Sequence, residues 1–288
     1  MKIGEIALYE LVQLFKRRRG NSLAHSSSFE EYFEWQYGST AQLLRTMPNV
    51  DLNGATVLEI GCGTGGRAAY FASRGASRVV GIDINAAEIE LARSLCSRLH
   101  PELDGKVEYL VSKEDEMLPV GTFDYVILID SFEHVVHPPH ILKLCHSYTR
   151  PGGRCYFTTI GWYNHAGSHM RLIPWVQCFF SDETIVNVTR RVVSAPGYVP
   201  SRFDSDPPTL RWEGVCNLRD RPGEHLNKIT IREIRKTVRY SPFAEGRVHV
   251  IPYQNPSLRP WRFLSRIPVV QEMFHTAVVG ELVRGAES

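Results

Sequence analysis

The chain has 288 residues, a length that fits one elaborated α/β domain better than two full domains. Its formal net charge is +2. This near-neutral charge argues against a nucleic-acid partner. The six cysteines form no Cys-x-x-Cys pair or zinc-type cluster, which favours a reducing, cytoplasmic setting. No apolar run approaches the roughly 20 residues that cross a bilayer, and acidic residues in the first apolar stretch argue against a signal peptide.

Two helices are expected before the first strand. The first, over residues 3–19, ends in Lys16-Arg17-Arg18-Arg19, and basic side chains at a helix C-terminus complement the helix dipole. Weak peripheral contact of this run with a membrane surface or with RNA is the alternative. The second helix, over residues 29–37, is aromatic, and packing onto the core is its default role.

Strands and helices alternate from Ala55 to Ile160, which predicts a doubly wound, mostly parallel α/β sheet. The fourth strand is apolar on both faces, as expected for a central parallel strand. Two more strands near the C-terminus give an expected sheet of seven strands. The strands are predicted at residues 56–60, 78–83, 107–111, 123–130, 154–160, 247–253 and 274–283, with helices at 67–74, 86–99 and 139–148.

The alternation stops after Ile160, where the chain becomes rich in Pro, Trp, His and Arg. We interpret this stretch as a lid inserted after the fifth strand, over the carboxyl edge of the sheet. Thr230 and Glu233 then have capping-box spacing, which predicts the start of another helix. The expected divisions are a helical cover at 1–45, a core at 46–160, a lid at 161–227 and a C-terminal completion of the sheet at 228–288.

A glycine-rich turn, residues 61–66, separates the first strand from its helix. Glycine is needed where the backbone is left-handed or where a ligand approaches it closely. The spacing of Gly61, Gly63 and Gly66 matches the G-x-G-x-x-G dinucleotide pattern, which alone does not separate NAD from S-adenosylmethionine. Asp83 ends the second strand about 20 residues later, where a carboxylate accepts hydrogen bonds from an adenosine ribose.

Glu59, two positions before the turn, favours S-adenosylmethionine. A carboxylate there repels a pyrophosphate and suits the ammonium group of a methionine moiety. The chain also lacks the second mononucleotide-binding half that a nicotinamide cofactor needs. NAD-dependent reduction is therefore the weaker interpretation.

These motifs together resemble those of class I S-adenosylmethionine-dependent methyltransferases of the type 11 and ubiquinone-pathway O-methyltransferase kind. Residues 57–65 look like their motif I, residues 80–84 resemble their ribose-binding loop, and residues 114–119 resemble the segment that holds the adenine amino group. Residues 123–126 and 151–153 match the fourth strand and the turn before the fifth. The resemblance covers about residues 55–160.

The resemblance implies S-adenosylmethionine as cofactor and S-adenosylhomocysteine as product. The adenine segment departs from the usual Gly-Asp-Ala pattern, so Glu114 is the best match there and Asp115 is the substitute. The implied cofactor-binding residues are Glu59, Gly61, Cys62, Gly63, Asp83, Ile84, Glu114, Asp115 and Asp130.

His134, in the segment after the fourth strand, is the candidate catalytic residue. Methyl transfer from a sulfonium is an in-line displacement, so the enzyme mainly supplies orientation and desolvation. An oxygen acceptor also needs a base near its hydroxyl, and a histidine can serve near neutral pH. A structural role for His134 in shaping the loop is the equal alternative.

Asp130, Glu133 and His134 resemble the Glu-x-x-Glu-His group that holds a divalent metal in ubiquinone-pathway and small-RNA methyltransferases. Such a metal would lower the pKa of a bound substrate hydroxyl. Those families add a histidine just before a Phe-rich helix, and none stands there in this chain. His165 or His169 is the available replacement, so the sequence favours an enzyme without a metal and keeps the metal as an alternative.

The lid contributes His165, His169 and Trp175 as candidate substrate-binding residues. Aromatic and basic groups at a cofactor edge suit an aromatic, sugar-like or carboxylated small molecule, and they equally suit lid packing. The leading prediction is O-methylation of a small metabolite. An RNA methyltransferase is the nearest alternative, and a non-catalytic binding protein on the same fold is the alternative of another class. The sequence indicates no oligomeric state.

Overall fold

The computed structural model describes residues 2–19, 28–113, 116–170, 172–196, 226–253 and 256–286. Its strands are β1 (Thr56–Ile60), β2 (Arg78–Asp83), β3 (Val107–Val111), β4 (Phe123–Leu128), β5 (Thr149–Thr159), β6 (Glu245–Ile251) and β7 (Ala277–Val283). They form one sheet in the order β3-β2-β1-β4-β5-β7-β6. The first five strands are parallel, and β7 runs antiparallel to both of its neighbours. The predicted α/β sheet, seven-stranded and mostly parallel, is confirmed.

Eight α-helices are described around the sheet: α1 (Ile3–Arg19), α2 (Phe29–Leu44), α3 (Gly66–Ser73), α4 (Ala86–Leu99), α5 (Pro138–Tyr148), α6 (Val176–Phe179), α7 (Asp182–Val193) and α8 (Ile231–Arg239). The predicted capping box is present at α8, where Thr230 and Glu233 each bond to the other's backbone amide. Short 3₁₀ helices occupy Pro101–Leu103, Phe132–His134, Pro256–Arg266 and Val270–Glu272.

Both faces of the sheet are covered because side chains alternate along each strand. In β1, Val57 packs with Phe71 of α3 and Ile89 of α4 on one face. Its neighbour Leu58 packs with Leu142 of α5 and other buried residues on the opposite face. This arrangement explains the near-continuous apolar strands seen in the sequence.

The two N-terminal helices pack against different parts of the molecule. Phe33 of α2 joins the core cluster that contains α3. Leu8 and Val12 of α1 instead pack with Ile185 and other lid residues. Helix α1 therefore packs against the segment after β5 that the sequence predicts to be a lid.

Four strands have ends that differ from the sequence prediction by two residues or more. The sixth spans Glu245–Ile251 rather than 247–253, and the seventh begins at Ala277 rather than at 274. The differences in the fourth and fifth strands have a backbone reason. The fourth strand ends at Leu128 rather than at Asp130, because Asp130 has a φ of 52°, which is incompatible with a strand. The fifth strand begins at Thr149 rather than Arg154, and its pairing with β4 shifts register between Phe123 and Tyr125. In this strand Gly152 has a φ of 74°, which suits an irregularity within continuous pairing.

Two further predictions, on membrane-spanning helices and on cysteines, can be compared with the described residues. No described helix is long and apolar enough to cross a membrane. Within the described ranges the cysteines are free thiols, and four of them are buried: Cys62, Cys96, Cys145 and Cys155. Cys216 lies outside the described residues.

A missing side chain on β7 makes room for an aromatic stack. Gly280 pairs with Phe157 of β5, and a Cβ on Gly280 would lie 2.1 Å from the Phe157 ring. The Phe157 ring in turn stacks on Phe132, with centroids 4.1 Å apart. Both phenylalanines are fully buried, so neither ring has space to retreat.

Gly280→Ala is expected to lower the free energy of unfolding by about 1–3 kcal/mol, because the added methyl group overpacks the Phe157 ring. The measurement is urea unfolding followed by circular dichroism. Gly38→Ala in α2 is the matched control, since no atom lies within 4 Å of its added methyl group. That control should be neutral or stabilising by about 1 kcal/mol. Equal effects of the two changes would contradict the overpacking argument.

Candidate functional site

The glycine turn after β1 adopts a conformation that side chains disfavour. Gly61, Gly63 and Gly65 have φ values of 75°, 52° and 83°. A Cβ on Gly61 would lie 2.3 Å from the hydroxyl of Ser131, in the segment after β4. The turn therefore passes close to the loop that follows the neighbouring strand.

Two polar side chains from outside the turn hold it in place. The Asp83 carboxylate accepts hydrogen bonds from the backbone amides of Gly63 at 2.8 Å and Asn85 at 2.9 Å. The buried Gln36 of α2 accepts from the Thr64 hydroxyl at 2.8 Å and from the amide of Gly66 at 3.3 Å. Burial raises the pKa of Asp83, and the two backbone donors oppose this rise. Asp83 thus lies where the sequence predicts, and sequence reasoning missed Gln36.

Beneath the turn lies an isolated carboxyl group. Glu59 is fully buried, and neither of its carboxylate oxygens has a hydrogen-bond partner among the described residues. Burial raises the pKa of Glu59 to about 8, a rise that Arg67 opposes and Asp83 reinforces. The side chain lies in the interior rather than on the surface of the turn. Its environment therefore accommodates a negative charge only if a positive charge lies near it.

Arg67 is a functional candidate that sequence reasoning missed. It is the second residue of α3, its side chain is 5% exposed, and it pairs with the Asp130 carboxylate at 3.0 Å. The Asp130 amide and carboxylate also bond to the Thr158 hydroxyl. A buried arginine thus links the glycine turn to the end of β4. The only signal in the sequence is a single charge within the apolar stretch of α3.

The loop after β4 brings together a second group of polar side chains. Glu133, His134 and His169 each place a ligand atom within 4.8 Å of the others, and we call these three residues the Glu-His-His cluster. His169 Nε2 lies 3.8 Å from Glu133 Oε1, and Glu133 Oε2 is buried with no hydrogen-bond partner in the described parts of the chain. Burial and the Asp130 charge raise the pKa of Glu133 to about 8. This donor set suits a divalent cation.

The structure separates the candidate lid residues into two groups. His169 joins the Glu-His-His cluster, with a left-handed backbone at φ 57°. His165 instead bonds to the Tyr253 hydroxyl at 3.2 Å and packs edge-on against Trp175. Trp175 donates to the carbonyl of Met273, so the second group packs against the C-terminal segment.

The remaining predicted site residues have simpler positions. Cys62 is buried in the turn, where burial strongly raises the pKa of its thiol. Ile84 is half-buried directly after β2. Glu114 and Asp115, predicted to hold an adenine, lie outside the described residues. Asp130 is not part of the Glu-His-His cluster, since its carboxylate pairs with Arg67.

Residues 32–193 match a family described as a methyltransferase domain, more than half of the chain. Together with the sheet order and the glycine turn, this match shows that the chain belongs to the methyltransferase domain family. The resemblance to class I S-adenosylmethionine-dependent methyltransferases is thereby confirmed at the level of the family.

Curated relatives are similar to part of this chain. A ubiquinone biosynthesis O-methyltransferase of Acinetobacter baylyi is 37% identical over 113 residues, which are 38% of this chain and 45% of that protein. One from Pseudomonas paraeruginosa is 38% identical over 113 residues, which are 38% of this chain and 46% of that protein. The chain therefore spans about half the length of the curated relatives it matches.

A solved structure is similar in fold to most of this chain. An S-adenosylmethionine-dependent methyltransferase from Mesorhizobium loti superposes with a TM-score of 0.53 and 17% identity. The superposition covers 89% of this chain and 100% of the other. At this identity the likeness shows the fold alone.

Glu59→Gln is expected to remove a cost that grows with pH. In the folded protein the pKa of Glu59 is raised from 4.5 to about 8, so ionisation of Glu59 lowers stability as pH rises from 4.5 through 8. The variant and the original protein should be similarly stable near pH 5. The variant should be the more stable one near pH 9, as measured by urea unfolding.

Glu90→Gln provides the control, since Glu90 lies on the exposed side of α4 and pairs with Arg93. Its effect on the free energy of unfolding should not grow between these pH values. Parallel pH profiles for Glu59→Gln and the original protein would show that Glu59 does not titrate in this range.

Proposed function

We propose that the protein is an S-adenosylmethionine-dependent methyltransferase that methylates an oxygen atom of a small-molecule acceptor. One observation carries the proposal: a left-handed glycine turn at the end of β1, braced by the Asp83 carboxylate at the end of β2. The curated relatives, named for O-methylation in ubiquinone biosynthesis, support the acceptor class.

The residues at the turn fit this cofactor. The left-handed glycines leave the backbone open to close approach by a ligand. Asp83 lies where a ribose hydroxyl is recognised in adenosine-binding folds. The buried, unpaired Glu59 gives a cationic ligand an advantage over a pyrophosphate. When bound, S-adenosylmethionine supplies an activated methyl group, and the protein supplies orientation and exclusion of water.

The competing functions have weaker support. A dinucleotide cofactor conflicts with the carboxyl group beneath the turn. A net charge of +2 gives little electrostatic attraction for an RNA acceptor. A non-catalytic binding protein is expected to show damage to the glycine turn or to Asp83, and both are intact.

We further propose that the Glu-His-His cluster holds a divalent metal ion beside the acceptor. The buried, unpartnered oxygen of Glu133 supports this, because a carboxylate in the interior needs a positive partner. A metal there would lower the pKa of an acceptor hydroxyl. His169 supplies the second histidine that the sequence motif lacks. If no metal binds, His134 is the alternative base for that hydroxyl.

The cofactor proposal is tested by calorimetric titration with S-adenosylmethionine, S-adenosylhomocysteine, NAD and NADP. We expect the two sulfur compounds to bind and the nicotinamide nucleotides to give no heat. Asp83→Ala should weaken S-adenosylhomocysteine binding by about tenfold or more, since it removes a charged hydrogen-bond acceptor. Asp104→Ala, an exposed acid before β3, is the control and should leave affinity unchanged. Binding of NAD with no response to S-adenosylhomocysteine would refute the proposal.

The metal proposal is tested by titrating the chelator-treated protein with Mn²⁺ and by measuring methyl transfer with and without the ion. We expect one bound ion per chain, lost in His169→Ala and Glu133→Gln. His165→Ala is the matched control, because His165 bonds to Tyr253 and lies outside the cluster. Full activity after chelation, combined with loss of activity in His134→Ala, would instead establish His134 as the base.

A further inference from the structure

One face of α8 presents a continuous row of positive charge. Arg232, Arg235, Lys236 and Arg239 are all exposed and follow each other at i, i+3, i+4 and i+7, which places them on one side of the helix. Ile231, Ile234 and Val238 are buried and anchor the helix to the core. Like charges at this spacing destabilise an isolated helix, so the row is costly for the fold alone.

The two acidic side chains near this row accept hydrogen bonds at the start of α8 and form no ion pair with its cations. The Glu233 carboxylate accepts from the amide and hydroxyl of Thr230 in the capping box. The Glu272 carboxylate accepts from the amides of Ile231 and Arg232 at the start of the helix. Both acids therefore cap the helix N-terminus, where their charge offsets the helix dipole.

The basic side chains make few hydrogen bonds with the described residues. Arg235 donates to the neutral side chain of Gln271 at 3.2 Å. Within the described parts of the chain, the side chains of Arg232, Lys236 and Arg239 make no hydrogen bond or ion pair. Among the described residues these three cations therefore face solvent without a direct ion pair, although Glu233 and Glu272 line the same cavity.

A segment with exposed apolar side chains meets the row at Val269, which lines the same cavity as the basic residues. The 3₁₀ helix Pro256–Arg266 and the turn after it leave Trp261 51%, Phe263 57% and Val269 82% exposed. The same segment carries two further exposed cations, Arg262 and Arg266. Large aromatic side chains interleaved with arginine are typical of segments at a membrane–water interface.

A cavity of about 970 Å³ joins the two features. Its lining includes the basic residues of α8, the capping acids Glu233 and Glu272, and the apolar Pro268 and Val269. Tyr163, four residues after β5, lines it as well. We call α8 with the Trp261–Val269 segment the basic–apolar surface. The cavity on this surface lies near the carboxyl end of β5, because Tyr163 follows that strand.

We propose that the basic–apolar surface docks the protein on a lipid bilayer rich in anionic phospholipids. The exposed aromatic and aliphatic side chains enter the headgroup region, and the unpaired cations bind lipid phosphates. A nucleic acid would leave the aliphatic side chains in water, and a free phosphate would not use the aromatic ones. Docking in this way turns the carboxyl end of β5 towards the bilayer. The proposal does not depend on the cofactor or on the acceptor.

The test is co-sedimentation of the full chain with vesicles of phosphatidylcholine alone and of phosphatidylcholine with phosphatidylserine. We expect binding to the mixed vesicles and none to phosphatidylcholine alone. R235E/K236E should weaken binding by about tenfold or more, because each basic residue near an anionic surface contributes substantially. W261S/F263S should also weaken binding at high salt, where the charge contribution is screened.

K106E/K143E is the matched control, since it makes the same change in net charge at two exposed lysines on other elements. It should bind mixed vesicles as the original protein does. Equal loss in this control, binding to phosphatidylcholine alone, or displacement by inorganic phosphate would overturn the proposal. Binding of single-stranded RNA through the same residues would also overturn the proposal. S-adenosylhomocysteine titration of each variant keeps this test separate from that of the cofactor, because the substituted residues lie outside the glycine turn.

Discussion

The glycine turn keeps its conformation through hydrogen bonds that its backbone amides donate to two distant side chains, Asp83 and Gln36. Asp83 comes from the end of β2, and Gln36 comes from a helix that precedes the sheet. Three glycines with left-handed backbones have no local preference for this one shape, so the braces select it. The core packing that positions α2 and β2 therefore also shapes the glycine turn, which we propose as the cofactor site.

Much of the fold could be predicted because it depends on local patterns. Apolar runs between turns predicted all seven strands, and the Thr230 capping box predicted α8. The errors lie at strand ends, where non-local features decide. The left-handed Asp130 ends β4, and the shifted pairing near Phe123 lets β5 begin earlier than its apolar run.

The candidate site divides in the same way. The glycine spacing and Asp83 were visible because they follow a fixed local order around β1 and β2. The partnership of Arg67 with Asp130 was not visible, since the two residues are 63 positions apart. Nor was the approach of His169 to Glu133, which requires a lid backbone in a rare conformation. Contacts between distant segments, rather than motifs, decide which polar groups meet.

Gly280 leaves space for Phe157, so the packing near the candidate site depends on a strand beyond the segment that matches the family. That segment ends at residue 193, whereas the strand that seats Phe157 begins at Ala277. A fragment cut at the family boundary would expose one edge of β5 and remove the support beneath the Phe157–Phe132 stack. Because Phe132 directly precedes Glu133, β7 supports the backbone next to the Glu-His-His cluster without contributing a residue to it.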